Sequence, residues 1–166
     1  MATVSATGQE KVQRFFDPLL HGFAHVPFND LAALSAAVTP QTCAIMLEPI
    51  QGEGGINIPS VEYMQGVREL CDRHQLLLIL DEVQVGMGRT GKLFAHEHFG
   101  ITPDIMTLAK ALAGGAPIGT MLAKDAVAAS FVPGTHGSTF GGNPLVTAAG
   151  IATVRVILED GLLNRA

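Results

Sequence analysis

An acid and a lysine are the residues best placed to do chemistry in this chain. The apolar run Leu76–Leu80 leads directly into Asp81. Such a run predicts a strand buried on both faces of a parallel sheet, with Asp81 at the carboxyl edge, where open α/β sheets bind their ligands. Because an unpaired buried carboxylate is costly, we expect Asp81 to meet a cation there.

Lys110 is the second candidate, because its neighbours on both sides are small or apolar. An amine in such surroundings is expected to be poorly solvated, which lowers its pKa and suits it to Schiff-base chemistry. An acid at a strand end, followed one crossover later by such a lysine, suggests pyridoxal phosphate. The lysine would bond the aldehyde, and Asp81 would keep the pyridine nitrogen protonated. The spacing alone leaves a surface lysine as the alternative.

A nucleotide site is the main competing interpretation. The segment Gly86–Gly91 matches G-x-G-x-x-G, and Gly86–Lys92 matches most of a P-loop. However, Leu93 stands where a P-loop needs Ser or Thr, and the acidic strand end directly precedes the glycines. A dinucleotide fingerprint must open a full crossover helix, and the stretch from Gly91 to Gly100 is too short for one. The context therefore disfavours both nucleotide sites.

A metal site is not indicated either. His96, Glu97 and His98 are adjacent, but neighbours on a helix point in different directions, so we predict a solvated helix face. Cys43 and Cys71 belong to no CxxC pair, which favours buried thiols in a reducing cytosol.

Composition narrows the class of protein further. The 166 residues are enough for one domain, and 48% are hydrophobic against only 15% charged, which suggests burial against a partner subunit. The net charge of −5 gives no reason to expect nucleic acid. No apolar run reaches the roughly 20 residues of a membrane span, and no secretory signal is readable. We therefore expect a cytoplasmic protein that binds neither nucleic acid nor membrane.

Periodicity predicts an α/β domain with a largely parallel sheet and flanking helices. The predicted helices start at Asp30, Ser60 and Pro144 and end near Ala37, His74 and Leu158, with a short helical piece at Phe94–Phe99. The predicted strands are Phe23–Phe28, Thr42–Leu47, Leu76–Leu80, Ile105–Leu108 and Ile118–Ala123.

Three long blocks resemble a known family. LEPIQGEGG (Leu47–Gly55), the block Leu80–Gly119 containing LDEVQVGMGRTG, and PGTHGSTFGGNP (Pro133–Pro144) closely resemble class III pyridoxal-phosphate-dependent aminotransferases. The resemblance covers nearly the whole chain and is strongest to the acetylornithine group, with the ornithine group close behind. It implies the large domain of the fold-type I transferase fold.

The resemblance assigns cofactor contacts to five residues. It implies that Asp81 pairs with the pyridine nitrogen, that Val83 packs on one ring face and that Gln84 bonds near the phenolic oxygen. Lys110 would be the Schiff-base and proton-transfer residue. Thr139 would reach the cofactor phosphate of the neighbouring subunit in a homodimer with shared active sites.

Three further residues have implied roles, two of them around the substrate and one in the cofactor pocket. Ser138 would lie near it, Glu53 would pair with a substrate-binding arginine and control entry, and Glu48 would help to order the cofactor pocket. The implied reaction transfers an amino group from N-acetylornithine to 2-oxoglutarate in arginine biosynthesis. Other class III enzymes, such as ornithine or ω-amino-acid aminotransferases, dialkylglycine decarboxylase or an aminomutase, remain alternatives.

Family members are more than twice as long as this chain. The resemblance therefore implies that residues 1–144 are a central part of the large cofactor-binding domain. Residues 145–166 would form the helix that leads to a small C-terminal domain. The phosphate loop, the ring-stacking aromatic residue and the arginine for the substrate carboxylate would lie outside the chain. An inactive fragment is accordingly the other interpretation of the isolated polypeptide.

Overall fold

The computed structural model describes residues 1–166, which form two compact units, 1–40 and 41–166. The first unit contains three short helices, α1 (Ala2–Ala6), α2 (Glu10–Gln13) and α3 (Leu31–Ala37). Helix α3 begins as predicted, because Asp30 Oδ1 accepts a hydrogen bond from the Ala33 N–H at 2.8 Å.

The predicted strand Phe23–Phe28 is wrong, since this segment has no regular secondary structure. A strand is stabilised by pairing with a neighbour, and no strand pairs with this segment. Pro27 also lacks the N–H that a ladder position requires. The aromatic residues that suggested a strand do not supply that partner.

A four-stranded sheet organises the second unit. Its strands lie in chain order, and the first three are parallel while the fourth runs antiparallel to the third. This confirms the predicted mostly parallel α/β sheet. The strands are β1 (Ala44–Leu47), β2 (Leu77–Asp81), β3 (Ile105–Leu108) and β4 (Thr120–Ala123).

Three α-helices and three 3-10 helices accompany the sheet. Helix α4 (Val61–His74) begins at Ser60, whose Oγ accepts from the Tyr63 N–H at 3.0 Å. It buries the predicted apolar face except for Val61, which is 45% exposed. The other helices are α5 (Asp125–Ala128) and α6 (Pro144–Glu159), and the 3-10 helices span Ala95–Phe99, Lys110–Ala113 and Leu162–Arg165. None of these helices has the length and apolarity that crossing a lipid bilayer requires.

The side chains on the two faces of the sheet differ in how deeply they are buried. Leu78 and Leu80 of β2 are fully buried, whereas the alternate positions, including Asp81, are only partly buried. On the Asp81 face, Met46 of β1 is 52% exposed beside Ile79. The prediction that β2 is buried on both faces is therefore correct for one face only. Within this chain, the face that carries Asp81 is the more open one.

The two cysteines also differ. Cys71 is buried in α4, as predicted, and both thiols are free. Cys43 is exposed, which corrects the prediction of two buried thiols; it precedes β1 rather than lying within it.

Asp104, directly before β3, ties several elements together. Its Oδ2 accepts from the Leu78 N–H at 2.8 Å and from Arg68 at 2.9 Å, and its Oδ1 accepts from Lys124 at 2.8 Å. Burial by itself would raise the pKa of this carboxyl, but these three donors outweigh it and lower the pKa to about 2. One carboxylate therefore links α4, the start of β2 and the residue after β4.

Candidate active site

Asp81 and Lys110 lie at or just after the carboxyl ends of neighbouring strands, and so at the same edge of the sheet. Asp81 is the last residue of β2, and Lys110 follows directly after β3 through Ala109. The two strands are adjacent and parallel, and Asp81 is the register partner of Thr107. The Glu82 N–H extends this pairing by donating to the Thr107 carbonyl at 3.0 Å. The carboxyl ends of two neighbouring strands therefore deliver the acid and the lysine to one place.

Asp81 is half-buried and oriented by its own backbone. Its Oδ1 accepts a hydrogen bond from the Val83 N–H at 2.9 Å, which forms an Asx-type turn as the chain leaves the strand. No cationic side chain of the chain pairs with this carboxylate. The cation that we expected for Asp81 is therefore not a residue of these 166.

The backbone at Lys110 is strained. Its φ of +44° places a non-glycine residue in the left-handed region, a conformation that costs about 1–3 kcal/mol and is concentrated at functional sites. Lys110 opens the 3-10 helix that runs to Ala113, and Gly114, with φ +59°, ends it. Lys110 therefore lies where the chain turns from β3 into this 3-10 helix.

The Lys110 side chain is exposed, which contradicts the prediction of a poorly solvated amine. The apolar residues that motivated the prediction point elsewhere, since Leu112 packs in a core cluster with Met106 and Leu108, against α6. The amine itself has no hydrogen bond or ion pair within the chain. Apolar neighbours in sequence therefore did not become neighbours of the amine in space.

Glu82 is a site-adjacent residue that the sequence analysis missed. It is 1% exposed, and its carboxylate accepts from the backbone N–H groups of Ala95 and His96, both at 2.8 Å. His96 Nδ1 lies 2.9 Å from the same carboxylate. The signal was available in the alternation of the strand, because Leu78, Leu80 and Glu82 share a face and the first two are clearly core residues.

The pair with Glu82 also corrects the prediction for His96. Its side chain is only 12% exposed, whereas Glu97 and His98 are exposed as predicted. The imidazole stacks on Phe94 with ring centroids 5.7 Å apart. His96 is turned inwards because a buried carboxylate needs hydrogen-bond donors.

The glycines of the G-x-G-x-x-G segment have a packing reason. A Cβ at Gly86 would lie 2.8 Å from the Glu82 carbonyl oxygen, which accepts from the Gly86 N–H at 2.8 Å. A Cβ at Gly88 would lie 2.9 Å from the Leu163 side chain, and its φ is +86°. Close approach of the Glu82 backbone therefore accounts for Gly86, and the positive φ accounts for Gly88.

Gln84 meets the loop that follows β1. A Cβ at Gly52 would lie 3.0 Å from Gln84 Cδ, so the amide packs directly on that glycine. The Glu48 Oε2 accepts from the Gly52 N–H at 3.1 Å. Glu53 is exposed in a tight turn that two hydrogen bonds close between the backbones of Gln51 and Asn57. The structure thus brings Glu48 and Gln84 to one loop.

Ser138 and Thr139 lie in the exposed loop between α5 and α6. The Ser138 Oγ accepts from the Gly141 N–H at 2.9 Å, and Thr139 makes no side-chain hydrogen bond. Neither hydroxyl is bonded to Asp81 or Lys110. These two predicted residues are therefore not joined to the acid and the lysine by any hydrogen bond in the chain.

A comparison with protein-family models decides the family. The model described as "Aminotransferase class-III" matches residues 1–166. The chain belongs to the class III aminotransferase family. The resemblance in the three sequence blocks is thereby confirmed over the full length of the chain.

Similar proteins include acetylornithine aminotransferases. The chain is 59% identical over 162 residues to the enzyme of that name from Neisseria meningitidis serogroup B, covering 98% of this chain and 41% of that protein. The ornithine aminotransferase of Toxoplasma gondii ME49 superposes with a TM-score of 0.95 at 39% identity, covering 99% of this chain and 39% of that one. The class III chain therefore spans about two fifths of the length of these relatives.

A second structure of the Toxoplasma gondii enzyme concerns the cofactor. It superposes with a TM-score of 0.94 at 40% identity, covering 98% of this chain and 39% of that one. Its description states partial occupancy of pyridoxal phosphate at the active site of that protein. This class III chain therefore shares its fold with part of an enzyme whose active site holds pyridoxal phosphate.

Proposed function

We propose that this chain forms part of a pyridoxal-phosphate-dependent aminotransferase. The proposed reaction converts N-acetylornithine and 2-oxoglutarate to N-acetylglutamate semialdehyde and glutamate. The identity of 59% to an acetylornithine aminotransferase supports this substrate pair. The observation that carries the proposal is the delivery of Asp81 and Lys110 to one sheet edge by two adjacent parallel strands.

The residues present fit the cofactor. Asp81 has a carboxylate without a cationic partner, and Lys110 has an amine without an acceptor, although both lie at the same edge. A pyridinium N–H would supply the charge that Asp81 lacks, and an aldehyde would supply the group that Lys110 bonds. When bound, pyridoxal phosphate supplies an electron sink for the substrate α-carbon.

Asp81 and Lys110 perform the central steps in this proposal. The Val83 N–H donates to Asp81 Oδ1 and so orients the carboxylate, which would hold the protonated ring nitrogen. Lys110 Nζ would hold the cofactor through its aldehyde, and the same amine would accept the proton from the substrate α-carbon.

Val83, Gln84 and Glu48 would position the ring. Val83 is half-buried two residues after Asp81 and would cover one ring face. The Gln84 amide packs on Gly52 and would bond near the phenolic oxygen. Glu48 orders this arrangement, because its carboxylate holds the Gly52 N–H.

We further propose that two copies of the enzyme share their active sites. The loop that carries Ser138 and Thr139 is exposed and is not bonded to Asp81 or Lys110 of its own chain. In a homodimer, Thr139 would bind the phosphate of the partner's cofactor, and Ser138 would face the substrate. Glu53, exposed in its tight turn, would pair with the arginine that admits substrate.

The same proposal assigns the two parts of the chain to regions of the whole enzyme. Residues 1–144 would be a central part of the large domain, and residues 145–166 would lead to a small C-terminal domain. The proposed location is the cytoplasm, which agrees with two free thiols. In this arrangement the phosphate loop and the carboxylate-binding arginine come from residues outside the 166.

Ornithine is the second candidate donor, because the Toxoplasma gondii ornithine aminotransferase superposes with a TM-score of 0.95. A side-by-side assay of the full-length enzyme with both donors and 2-oxoglutarate tests the choice. We expect kcat/KM for N-acetylornithine to exceed that for ornithine by at least about tenfold, or about 1.4 kcal/mol of transition-state discrimination. Equal or reversed values would replace the proposed donor, and no glutamate formation from either would reject transamination.

A further inference from the structure

Glu82 is a buried carboxylate that the proposed mechanism does not use. Both of its oxygens are engaged: Oε2 accepts from the Ala95 N–H at 2.8 Å, and Oε1 accepts from the His96 N–H at 2.8 Å. Oε1 also lies 2.9 Å from His96 Nδ1. The carboxylate therefore receives two backbone donors and one imidazole from the start of the 3-10 helix Ala95–Phe99.

The Glu82 side chain lies on the opposite face of the sheet from the Asp81 side chain. Side chains alternate along a strand, and Glu82 continues the buried series of Leu78 and Leu80. A ligand on the face of Asp81 is therefore out of reach of the Glu82 carboxylate. The two residues nevertheless share one peptide bond, so anchoring Glu82 also anchors Asp81.

The segment after Glu82 is held at both ends. At its start, the Glu82 carbonyl oxygen accepts from the Gly86 N–H at 2.8 Å, and the Glu82 N–H pairs with β3 through Thr107. At its end, the Glu82 side chain holds Ala95 and His96. The intervening residues 83–94 include Val83 and Gln84, which the proposed function places against the cofactor ring.

We propose that Glu82 and His96 form a clamp that positions Asp81, Val83 and Gln84 for the cofactor. Both are positioning residues, since neither reaches the ring itself. The inference rests on the proposed function for the identity of the ligand. The clamp itself is a property of residues 82–96 and can be measured without the cofactor.

Two pairs of variants separate this role from general stability. E82Q replaces one of the two acceptor oxygens of Glu82 with an NH₂ group. That NH₂ group would then face a backbone N–H, which is also a donor. E97Q is the matched control, because Glu97 is exposed on the same 3-10 helix and accepts one bond, from the Phe94 N–H at 2.8 Å, which an amide oxygen can keep. H96N keeps a donor near the position of Nδ1, whereas H96L removes it.

The experiment uses the full-length enzyme and combines hydrogen exchange, absorbance and steady-state kinetics. Amide hydrogen exchange of residues 83–96 is followed in the cofactor-free protein, and the absorbance spectrum, kcat and KM are measured in the holoenzyme. For E82Q and H96L we expect faster exchange in this segment, a shifted cofactor absorbance band and a loss of kcat of about 10- to 100-fold, as when a residue that orients a functional group is removed. KM should change less than kcat, and E97Q and H96N should resemble the wild type.

Wild-type exchange, spectrum and kcat in both E82Q and H96L would overturn the clamp. So would equal losses in H96N and H96L, since the donor would then not be the relevant property. If E82Q fails to fold, the comparison of H96N with H96L still tests the clamp. Borohydride reduction of the wild type, followed by mass analysis of Lys110, tests the proposed function separately: without an adduct that function fails, while the exchange data still test the clamp.

Discussion

Asp81 of β2 is the register partner of Thr107 of β3, and this pairing fixes where the acid lies relative to Lys110. The lysine follows β3 directly, so both groups leave the sheet at the same edge. Two parallel neighbouring strands are sufficient for this arrangement, because their carboxyl ends coincide. The pairing of β2 with β3 is therefore enough to place both residues at one edge of the sheet, without a contribution from the other loops.

Replacing Asp81 with Asn should slow the reaction without unfolding the protein. The variant removes the charge that would hold the pyridine nitrogen protonated, in a site where the Val83 N–H can still find an acceptor. We expect kcat of the full-length enzyme to fall by about 10²–10³-fold. Asp125→Asn, at an exposed carboxylate on α5, is the control and should retain kcat. Equal kcat values for the two variants would remove Asp81 from the mechanism.

Gly52→Ala tests the contact that positions Gln84. The new Cβ would lie 3.0 Å from Gln84 Cδ and 3.2 Å from Gln84 Cβ, so the amide has to move. We expect a loss of stability of about 1 kcal/mol and a loss of kcat of about tenfold from misplaced ring contacts. Gly54→Ala is matched, because its Cβ would meet Gln51 only at 3.5 Å. Kinetics and thermal unfolding of both variants measure the difference, and indistinguishable variants would show that the contact does not matter.

Asp104→Asn should destabilise the protein at neutral pH. The carboxylate accepts hydrogen bonds from the Leu78 N–H, Arg68 and Lys124. Asn cannot offer two charged acceptor oxygens to these donors. We expect a loss of about 2–3 kcal/mol in the free energy of unfolding. Asp72→Asn also breaks an ion pair with Arg68, but Asp72 is 67% exposed, and its loss should cost about 0.5 kcal/mol or less. Denaturant unfolding of both variants should therefore separate them clearly, and similar midpoints would contradict the prediction.

The effect of Asp104 should also depend on pH. Its pKa lies near 2 in the folded protein against a usual value of 3.8, so the folded state binds this proton more weakly than the unfolded state. The resulting stabilisation, about 2 kcal/mol, is complete above the unfolded value and disappears as the pH falls through about 2. The stability gap between wild type and Asp104→Asn should narrow from pH 5 to pH 2. A constant gap would mean that the charge of Asp104 is not what stabilises the fold.

The two thiols should differ in reactivity. Burial, as the largest cause, raises the pKa of Cys71 to about 11, and the side chain is inaccessible, whereas Cys43 is exposed. A disulfide reagent at pH 8 should therefore modify one thiol quickly and the other only on unfolding. Cys43→Ser should abolish the fast phase, and Cys71→Ser should leave it intact. Two fast phases in the native protein would contradict the burial of Cys71.

Much of the fold could be predicted from local signals. The strands at Leu77–Asp81 and Ile105–Leu108 follow apolar runs, and the caps at Asp30 and Ser60 set helix starts through side-chain bonds to nearby N–H groups. The segment Phe23–Phe28 carried a similar apolar signal but has no partner strand. Pairing is a tertiary property, and a single segment does not encode its partner.

The candidate site was predictable in its placement and less so in its surroundings. Strand order brought Asp81 and Lys110 to one edge, which the pattern of alternating strands and helices already implied. The exposure of Lys110 was missed, because the apolar residues after it pack towards α6 rather than around the amine. The pairing of Glu82 with His96 was also missed, since it joins residues fourteen positions apart through a loop whose path the sequence does not specify.

Covalent attachment at Lys110 is the most direct test of the account. The full-length enzyme is incubated with pyridoxal phosphate, reduced with borohydride and digested, and the peptides are analysed by mass. We predict a reduced cofactor adduct on Lys110, and its loss together with the absorbance band of the bound cofactor in Lys110→Ala, while Lys124→Ala keeps both. An adduct on another lysine, or an unchanged spectrum in Lys110→Ala, would contradict the central claim.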